Sequence, residues 1–231
     1  IISGMEHHSN IVPWQMLRDE KGIVLKVIPV KEDGTLDMNA FYEMLSEKTK
    51  FISVMYVSNV LGTINPMQEI CNAGKERDIP VLVDAAQAIA HLPVDVQKLD
   101  CAFLAFSGHK MYGPTGVGVL YGKKDLLNEM SPVKGGGDMI LSVSFEKTVY
   151  NELPYKFEAG TPNIVGAIGF GMALDYLNNL GFDSIEFYET ELLNYATNKL
   201  KEIPGFKMYG EAKHKTSVIS FNIGELNSYD I

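Results

Sequence analysis

Two residues that could do chemistry, Lys110 and Asp84, each stand at the end of an apolar run, 101–106 for the lysine and 81–83 for the aspartate. An amine at the exit of a buried strand can be held away from water, and its lone pair is then free to attack a carbonyl. An amine for an aldehyde and a carboxylate for a ring nitrogen are the groups that pyridoxal 5'-phosphate (PLP) requires of a protein. Because an arbitrary lysine beside a turn usually lies on the surface, this hypothesis depends on the neighbouring residues.

Those neighbours meet the other demands of PLP. Gln87, three residues after Asp84, could donate an amide hydrogen bond to the phenolic oxygen of the ring. Ser107 and His109, directly before the lysine, could donate to the phosphate. A histidine of the pair at positions 7 and 8 could stack on one face of the ring, with His7 the candidate.

Two other kinds of site compete with this hypothesis. The pair His7–His8 also suggests a metal site, but no carboxylates or cysteines stand nearby at ligand spacing, so we expect no metal. The glycine-rich segments 116–122 and 135–138 match neither GxGxxG nor a Walker loop, which argues against a nucleotide site. Close backbone packing or a mobile turn is the favoured explanation of the first segment and an equally good explanation of the second.

Composition limits the possible partners. The 231 residues carry a net charge of -9, and 46% are hydrophobic, as in an ordinary globular protein. A negative chain gives no support to nucleic-acid binding, and no apolar run is long enough to cross a membrane. We therefore expect a cytoplasmic protein that binds neither nucleic acid nor membranes, and the PLP hypothesis gives it a small-molecule substrate. Cys71 and Cys101, without CxxC spacing, are expected to be small buried hydrophobic residues rather than nucleophiles.

Apolar strand-like runs alternate with helical patterns, which predicts an α/β fold with mostly parallel strands. We predict strands over 23–30 and 51–57, among others, and long helices over 164–180 and 184–202. Asn59, Asp84 and Lys110 all lie at or just past the ends of predicted strands. Because ligands gather at the carboxyl ends of parallel strands, these residues should share one site.

The character of the chain changes near residue 165. We expect a large cofactor-binding domain over 1–165, a connecting helix over 166–182 and the start of a small α+β domain over 183–231. The chain opens without a methionine and stops just after a strand-like run. We expect it to be a fragment that lacks N-terminal and C-terminal parts.

Five segments together resemble cysteine desulfurases of the class V aminotransferase family, and most closely the SUF-type group related to selenocysteine lyases. They occur in the expected order across nearly the whole chain. The segments are EHHSNIVPWQ (6–15), VSNVLGT (57–63), VDAAQ (83–87), SGHKMYGPTG (107–116) and FEAGTPN (157–163). The resemblance implies a PLP-dependent transferase of fold type I, with a mostly parallel sheet covered by helices on both faces and a truncated small domain.

The resemblance also implies roles for the residues of the ring site. Lys110 would bind the cofactor aldehyde as a Schiff base and later carry the Cα proton of the substrate. His7 would stack on the ring and act in acid–base steps. Asp84 would pair with the ring nitrogen, and Gln87 would donate to the phenolic oxygen.

Further roles concern the phosphate and the substrate. Ser107 and His109 would hold the phosphate, and Asn59 would lie near the substrate carboxylate. Thr161 would reach the phosphate in the neighbouring subunit, since the family is homodimeric with sites at the interface.

The implied reaction converts L-cysteine to L-alanine and passes sulfur, through an enzyme persulfide, to an acceptor protein for iron–sulfur cluster assembly. Neither Cys71 nor Cys101 matches the family's persulfide loop, and neither Arg18 nor Arg77 matches its carboxylate-binding arginine. We therefore expect the fragment itself to be inactive. A selenocysteine lyase or another class V aminotransferase is the alternative enzyme, and a catalytically inactive scaffold is the alternative outside enzymes.

Overall fold

The computed structural model describes residues 1–230 of the chain. Its strands are β1 (Ile2–Ser3), β2 (Val27–Ile28), β3 (Ile52–Met55), β4 (Val81–Asp84), β5 (Phe103–Ser107), β6 (Gly118–Gly122), β7 (Ile140–Val143), β8 (Thr148–Tyr150), β9 (Phe206–Tyr209) and β10 (Ser220–Ile223). Its α-helices are α1 (Val12–Lys21), α2 (Met38–Met44), α3 (Met67–Lys75), α4 (Ala88–His91), α5 (Val96–Leu99), α6 (Lys124–Glu129), α7 (Ile164–Leu180) and α8 (Phe182–Lys201). Short 3-10 helices cover His8–Asn10, Gly108–Met111 and Tyr155–Phe157.

A six-stranded sheet forms the centre of the molecule, in the order β2-β1-β3-β4-β5-β6. The first five strands are parallel, and β6 runs antiparallel to β5. Helices lie in the connections between the parallel strands, because parallel pairing needs a crossover from one end of the sheet to the other. The predicted α/β fold with a mostly parallel sheet is confirmed.

The two faces of this sheet differ in their residues. On β4, Val81 and Val83 are buried in the main hydrophobic core with Ile70 of α3. The alternate residues of the same strand, Leu82 and Asp84, line an open cavity instead. Since successive side chains of a strand point to opposite faces, one strand serves both the core and the cavity.

The last third of the chain begins with two consecutive helices, α7 and α8, separated only by Gly181. The first matches the predicted bounds 164–180, and the second starts two residues earlier than predicted. Beyond them, β9 and β10 form a separate antiparallel pair. Among residues 1–230, no helix has both the length and the apolar character needed to cross a membrane.

The predicted strand over 23–30 is mostly wrong, because only Val27–Ile28 is a strand. These residues lie at the edge of the sheet, where their one neighbour, β1, offers just two residues for pairing. Val24 is 80% exposed, so the apolar pattern there does not reflect burial. The short β1 and the exposed hairpin of β7 and β8 were not predicted.

Candidate active site

The ends of β4 and β5 bring the first two site residues together. Asp84 is the last residue of β4 and pairs in register with Ala105 of β5, two residues before Ser107. Asp84 Oδ1 accepts a hydrogen bond from the backbone N–H of Ala86 at 2.9 Å, which fixes the carboxylate and leaves Oδ2 for another donor.

The lysine is carried by the 3-10 helix that follows β5 directly. The backbone N–H of Gly108 donates to Val117 O at 2.9 Å. A Cβ at Gly108 would lie 2.8 Å from Val117 Cγ1, so the close approach requires glycine. Met111 is buried in a second hydrophobic cluster with Phe170 of α7. Burial of Met111 anchors this turn, and Lys110 beside it faces the cavity.

His7 enters the site from the loop after β1. Its ring Nδ1 accepts from the backbone N–H of Ser9 at 3.2 Å and lies 2.8 Å from the Ser9 hydroxyl. Because a backbone N–H can only donate, Nδ1 carries no proton in this arrangement, and the ring proton is on Nε2. This hydrogen bond therefore favours the tautomer with the ring proton on Nε2.

One cavity of about 690 Å³ contains five of the eight predicted site residues. Its lining residues are His7, Ser9, Asn10, Pro13, Trp14, Leu82, Asp84, Ala86, Ala105, Phe106, Ser107, His109 and Lys110. The structure thus brings His7, Asp84, Ser107, His109 and Lys110 together, although they span more than one hundred positions of the chain.

The other three predicted residues do not line this cavity. Gln87 is half-buried at the start of α4, and Thr161 is exposed in the segment before α7. Asn59 is half-buried in the loop after β3, and its buried Oδ1 has no hydrogen-bond partner within residues 1–230. Buried polar atoms are normally paired, so Asn59 Oδ1, like the equally unpaired Asn65 Oδ1, retains the capacity to accept a hydrogen bond.

The donor set of the cavity fits PLP. It offers an amine for the aldehyde at Lys110, a carboxylate oxygen for the ring nitrogen at Asp84, and hydroxyl and imidazole groups for the phosphate at Ser107 and His109. The Lys110 amine has no ion-pair or hydrogen-bond partner within residues 1–230. In the same part of the chain, no three His, Cys, Asp or Glu side chains converge as metal ligands would.

Sequence reasoning assigned no role to Glu6, Asn10 and Trp14, which form a hydrogen-bonded cluster beside His7, with Glu6 and Asn10 buried and Trp14 half-buried. Asn10 and Trp14 line the cavity, and Glu6 is bound to Asn10. The sequence contains a pattern that could have indicated this cluster, because the three residues are each four positions apart, the spacing of residues on one side of a helix.

The family model for class V aminotransferases matches residues 1–231, the whole chain. Solved structures of proteins named cysteine desulfurase share this fold. The cysteine desulfurase CsdA from Escherichia coli superimposes with a TM-score of 0.95 at 36% identity, covering 99% of this chain and 57% of that one. The apo cysteine desulfurase from Thermococcus onnurineus NA1 gives a TM-score of 0.94 at 37% identity, covering 99% and 58%.

Curated relatives are more similar in sequence. Proteins named cysteine desulfurase from Serratia proteamaculans and Dickeya dadantii are each 50% identical to the whole of this chain. The chain spans 57% and 56% of their respective lengths, so it corresponds to part of such a protein. With the cavity's donor set, these similarities confirm the expected family and cofactor. The chain belongs to the class V aminotransferase family, whose members are PLP-dependent enzymes.

Proposed function

We propose that the protein to which this chain belongs is a cysteine desulfurase that converts L-cysteine to L-alanine and transfers the sulfur to an enzyme thiol. The observation that carries the proposal is the cavity in which Lys110, Asp84 and His7 meet. The 50% identity to cysteine desulfurases over the whole chain supports the choice of substrate within the family.

When bound, PLP supplies a ring that accepts the electrons left on the substrate Cα when its proton departs. Asp84 Oδ2 would hold the proton on the ring nitrogen, while Oδ1 remains bound to the Ala86 N–H. Nζ of Lys110 would hold the aldehyde covalently, and the same amine, when not bound to the cofactor, would accept the Cα proton of the substrate. His7 would lie against the ring and hold its own proton on Nε2.

The remaining residues would bind the polar groups of cofactor and substrate. Ser107 and His109 would donate to the phosphate, and Gln87, at the start of α4 and outside the cavity lining, would donate to the phenolic oxygen. Asn59, with its unpaired oxygen and its amide, would contact the substrate. Thr161 is exposed, which is consistent with a contact to the phosphate in a second subunit.

The thiol that receives the sulfur would lie outside this chain. Cys71 and Cys101 are only 2% and 1% exposed. Burial raises the pKa of both thiols, that of Cys71 to about 12. A persulfide needs an accessible thiolate, so neither cysteine suits the role. We infer that the fragment alone is inactive and that the carboxylate-binding arginine is also supplied from outside it.

We further propose a homodimer, located in the cytoplasm, that passes sulfur to an acceptor protein for iron–sulfur cluster assembly. Exposed apolar side chains on α7, such as Val165 at 82% and Ile168 at 68%, support a further partner for that surface. We also propose the division into a large domain over 1–165, a connecting helix over 166–182 and the start of a small domain over 183–231.

The test uses the full-length protein. We expect visible absorbance from bound PLP, and borohydride should fix the cofactor to the peptide that contains Lys110, as read by mass spectrometry. Lys110→Ala should remove both signals, whereas the control Lys98→Ala, a surface lysine 82% exposed at its side chain, should retain them. A colourless protein that does not bind added PLP would indicate the scaffold instead.

The substrate is tested separately by measuring alanine formed from L-cysteine and from L-selenocysteine in the presence of a thiol reductant. A desulfurase should form alanine and sulfide from L-cysteine. Alanine formed from L-selenocysteine alone would indicate a selenocysteine lyase, and transamination without sulfide would indicate another class V aminotransferase.

A further inference from the structure

A buried polar network lies between the His7 loop and β3, on the cavity face of the sheet. We call it the Glu6 network, and it comprises the side chains of Ser3, Glu6, Asn10, Trp14 and Ser53 with the backbone N–H of Met55. Glu6 is 6% exposed and Asn10 7%. Polar groups this deeply buried are costly unless every hydrogen bond is satisfied, so their arrangement is informative.

The direction of each hydrogen bond follows from Trp14. Its indole N–H can only donate, and it donates to Asn10 Oδ1 at 2.9 Å. The same oxygen accepts from the Ser53 hydroxyl at 2.6 Å. The amide nitrogen of Asn10 must then face Glu6, and it donates to Glu6 Oε2 at 2.7 Å.

Glu6 therefore serves as an acceptor throughout. The backbone N–H of Met55 lies 3.0 Å from each of its carboxylate oxygens, and the Ser3 hydroxyl donates to Oε1. Burial raises the pKa of Glu6, whereas these donors act in the opposite direction. The carboxylate is thereby bound to the end of β3, and Met55 pairs in register with Asp84 on the neighbouring strand.

His7 stands between the two anchors of this network. Glu6 precedes it directly, and Asn10 follows at the end of the 3-10 helix that His7 caps. Both neighbours are bound to β3, through Met55 and Ser53 respectively. The His7 ring itself is exposed, and within residues 1–230 its side-chain hydrogen bonds go only to Ser9. Its place over the cavity is thus determined by its neighbours.

We propose that Glu6 and Asn10 are positioning residues that hold His7 in register with Asp84 across the cofactor cavity. The proposal rests on the proposed PLP function, because His7 has this role only if the ring lies between the two residues. Neither Glu6 nor Asn10 needs to touch the reacting atoms. Their contribution is to fix the loop that carries His7.

The hydrogen-bond directions allow an exchange experiment in the full-length protein. Asn10→Asp would place two carboxylates about 2.7 Å apart, a strong repulsion in a buried site. Adding Glu6→Gln restores a complementary pair: the new amide donates to the new carboxylate, which still accepts from Trp14 and Ser53. Glu6→Gln alone should be milder than Asn10→Asp, because the Ser3 hydroxyl can turn and accept from the amide.

Two readouts apply. In the apo-protein, hydrogen–deuterium exchange of a peptide covering residues 5–16 should be at least about tenfold faster in Asn10→Asp and near normal in the double variant. In the PLP-bound protein, Asn10→Asp should bind PLP about tenfold more weakly and change its visible circular dichroism. The double variant should regain both the PLP affinity and the visible circular dichroism of the unaltered protein. Ile70→Val, a buried substitution in α3, is the control that lowers stability without altering either cofactor signal.

The outcomes separate the two proposals. If unaltered protein binds no PLP, the proposed function fails, and the exchange data still report on the network. If PLP binds but Asn10→Asp leaves its affinity and circular dichroism unchanged, or the double variant is no better than Asn10→Asp, the positioning proposal is overturned. Should Asn10→Asp not fold, a folded double variant with normal cofactor signals supports the proposal, and one with altered signals contradicts it.

Discussion

The two faces of the central sheet are built in opposite ways. One face buries Ile52, Val54, Val81 and Val83 in the main core, each no more than 2% exposed. The other face carries a polar network beneath His7 and an open cavity of about 690 Å³. Apolar side chains can pack in many orientations, because their contacts have no preferred direction. A buried hydrogen-bond network is stable only when each donor meets an acceptor. Stability is thus concentrated on one face and chemistry on the other.

Substitutions of two adjacent residues of β4 test most directly whether the two faces of the sheet act independently. In the full-length protein, Asp84→Ala should lower turnover by about 10³-fold, because an electrostatic partner of the reacting ring is lost. Val83→Ala, on the opposite face, should lower the free energy of unfolding by about 2 kcal/mol through lost packing. Steady-state rates and denaturant unfolding measure the two effects. Large losses of turnover in both variants would show that the faces are not independent.

A second prediction concerns the thiols of the core face. Because burial raises the pKa of Cys71 to about 12, only about 10⁻⁴ of it would be thiolate at pH 8. Cys71 should resist iodoacetamide in the native protein and react after unfolding, as measured by peptide mass spectrometry. Rapid native labelling would show that this part of the core opens readily.

The junction between the Lys110 turn and α7 provides a smaller effect. Asn163 caps α7 by accepting from the Gly166 N–H at 3.0 Å, and it donates to Gly116 O at 3.2 Å. Asn163→Ala should cost about 1 kcal/mol of stability, the usual value of an N-cap. Asn163→Ser, which keeps a capping oxygen, is the matched control and should recover most of the loss in thermal unfolding.

The smallest effect is expected at the ion pairs of Asp100, which accepts from Lys123 and Lys75 beside the helical layer of the core face. These lysines lower the pKa of Asp100 to about 2. The stabilisation is therefore present above the unfolded pKa of about 3.9 and is lost as the pH falls toward 2. Asp100→Asn should flatten the pH dependence of the melting temperature between about pH 4 and 2. An unchanged slope would contradict the assignment.

Strong local patterns were sufficient to predict much of the fold. Helix α7 was predicted with its exact bounds, and β4 and β5 to within two residues, because polar or turn-forming residues mark clearly where these apolar segments end. The edge strand β2 and the two-residue β1 were not predictable in the same way. Pairing at a sheet edge depends on the neighbouring strand and not on the residues of the segment itself.

For the candidate site, the sequence alone determined which groups are present: an amine, a carboxylate and an imidazole in motifs typical of PLP enzymes. The tertiary structure decided which of them meet, placing His7, Asp84 and Lys110 around one cavity while leaving Gln87 outside its lining. It also revealed the hydrogen bonds of Glu6 to Met55, 49 positions away. The physical reason is that side-chain chemistry is local, whereas hydrogen-bond partners and burial arise only when distant strands come into register.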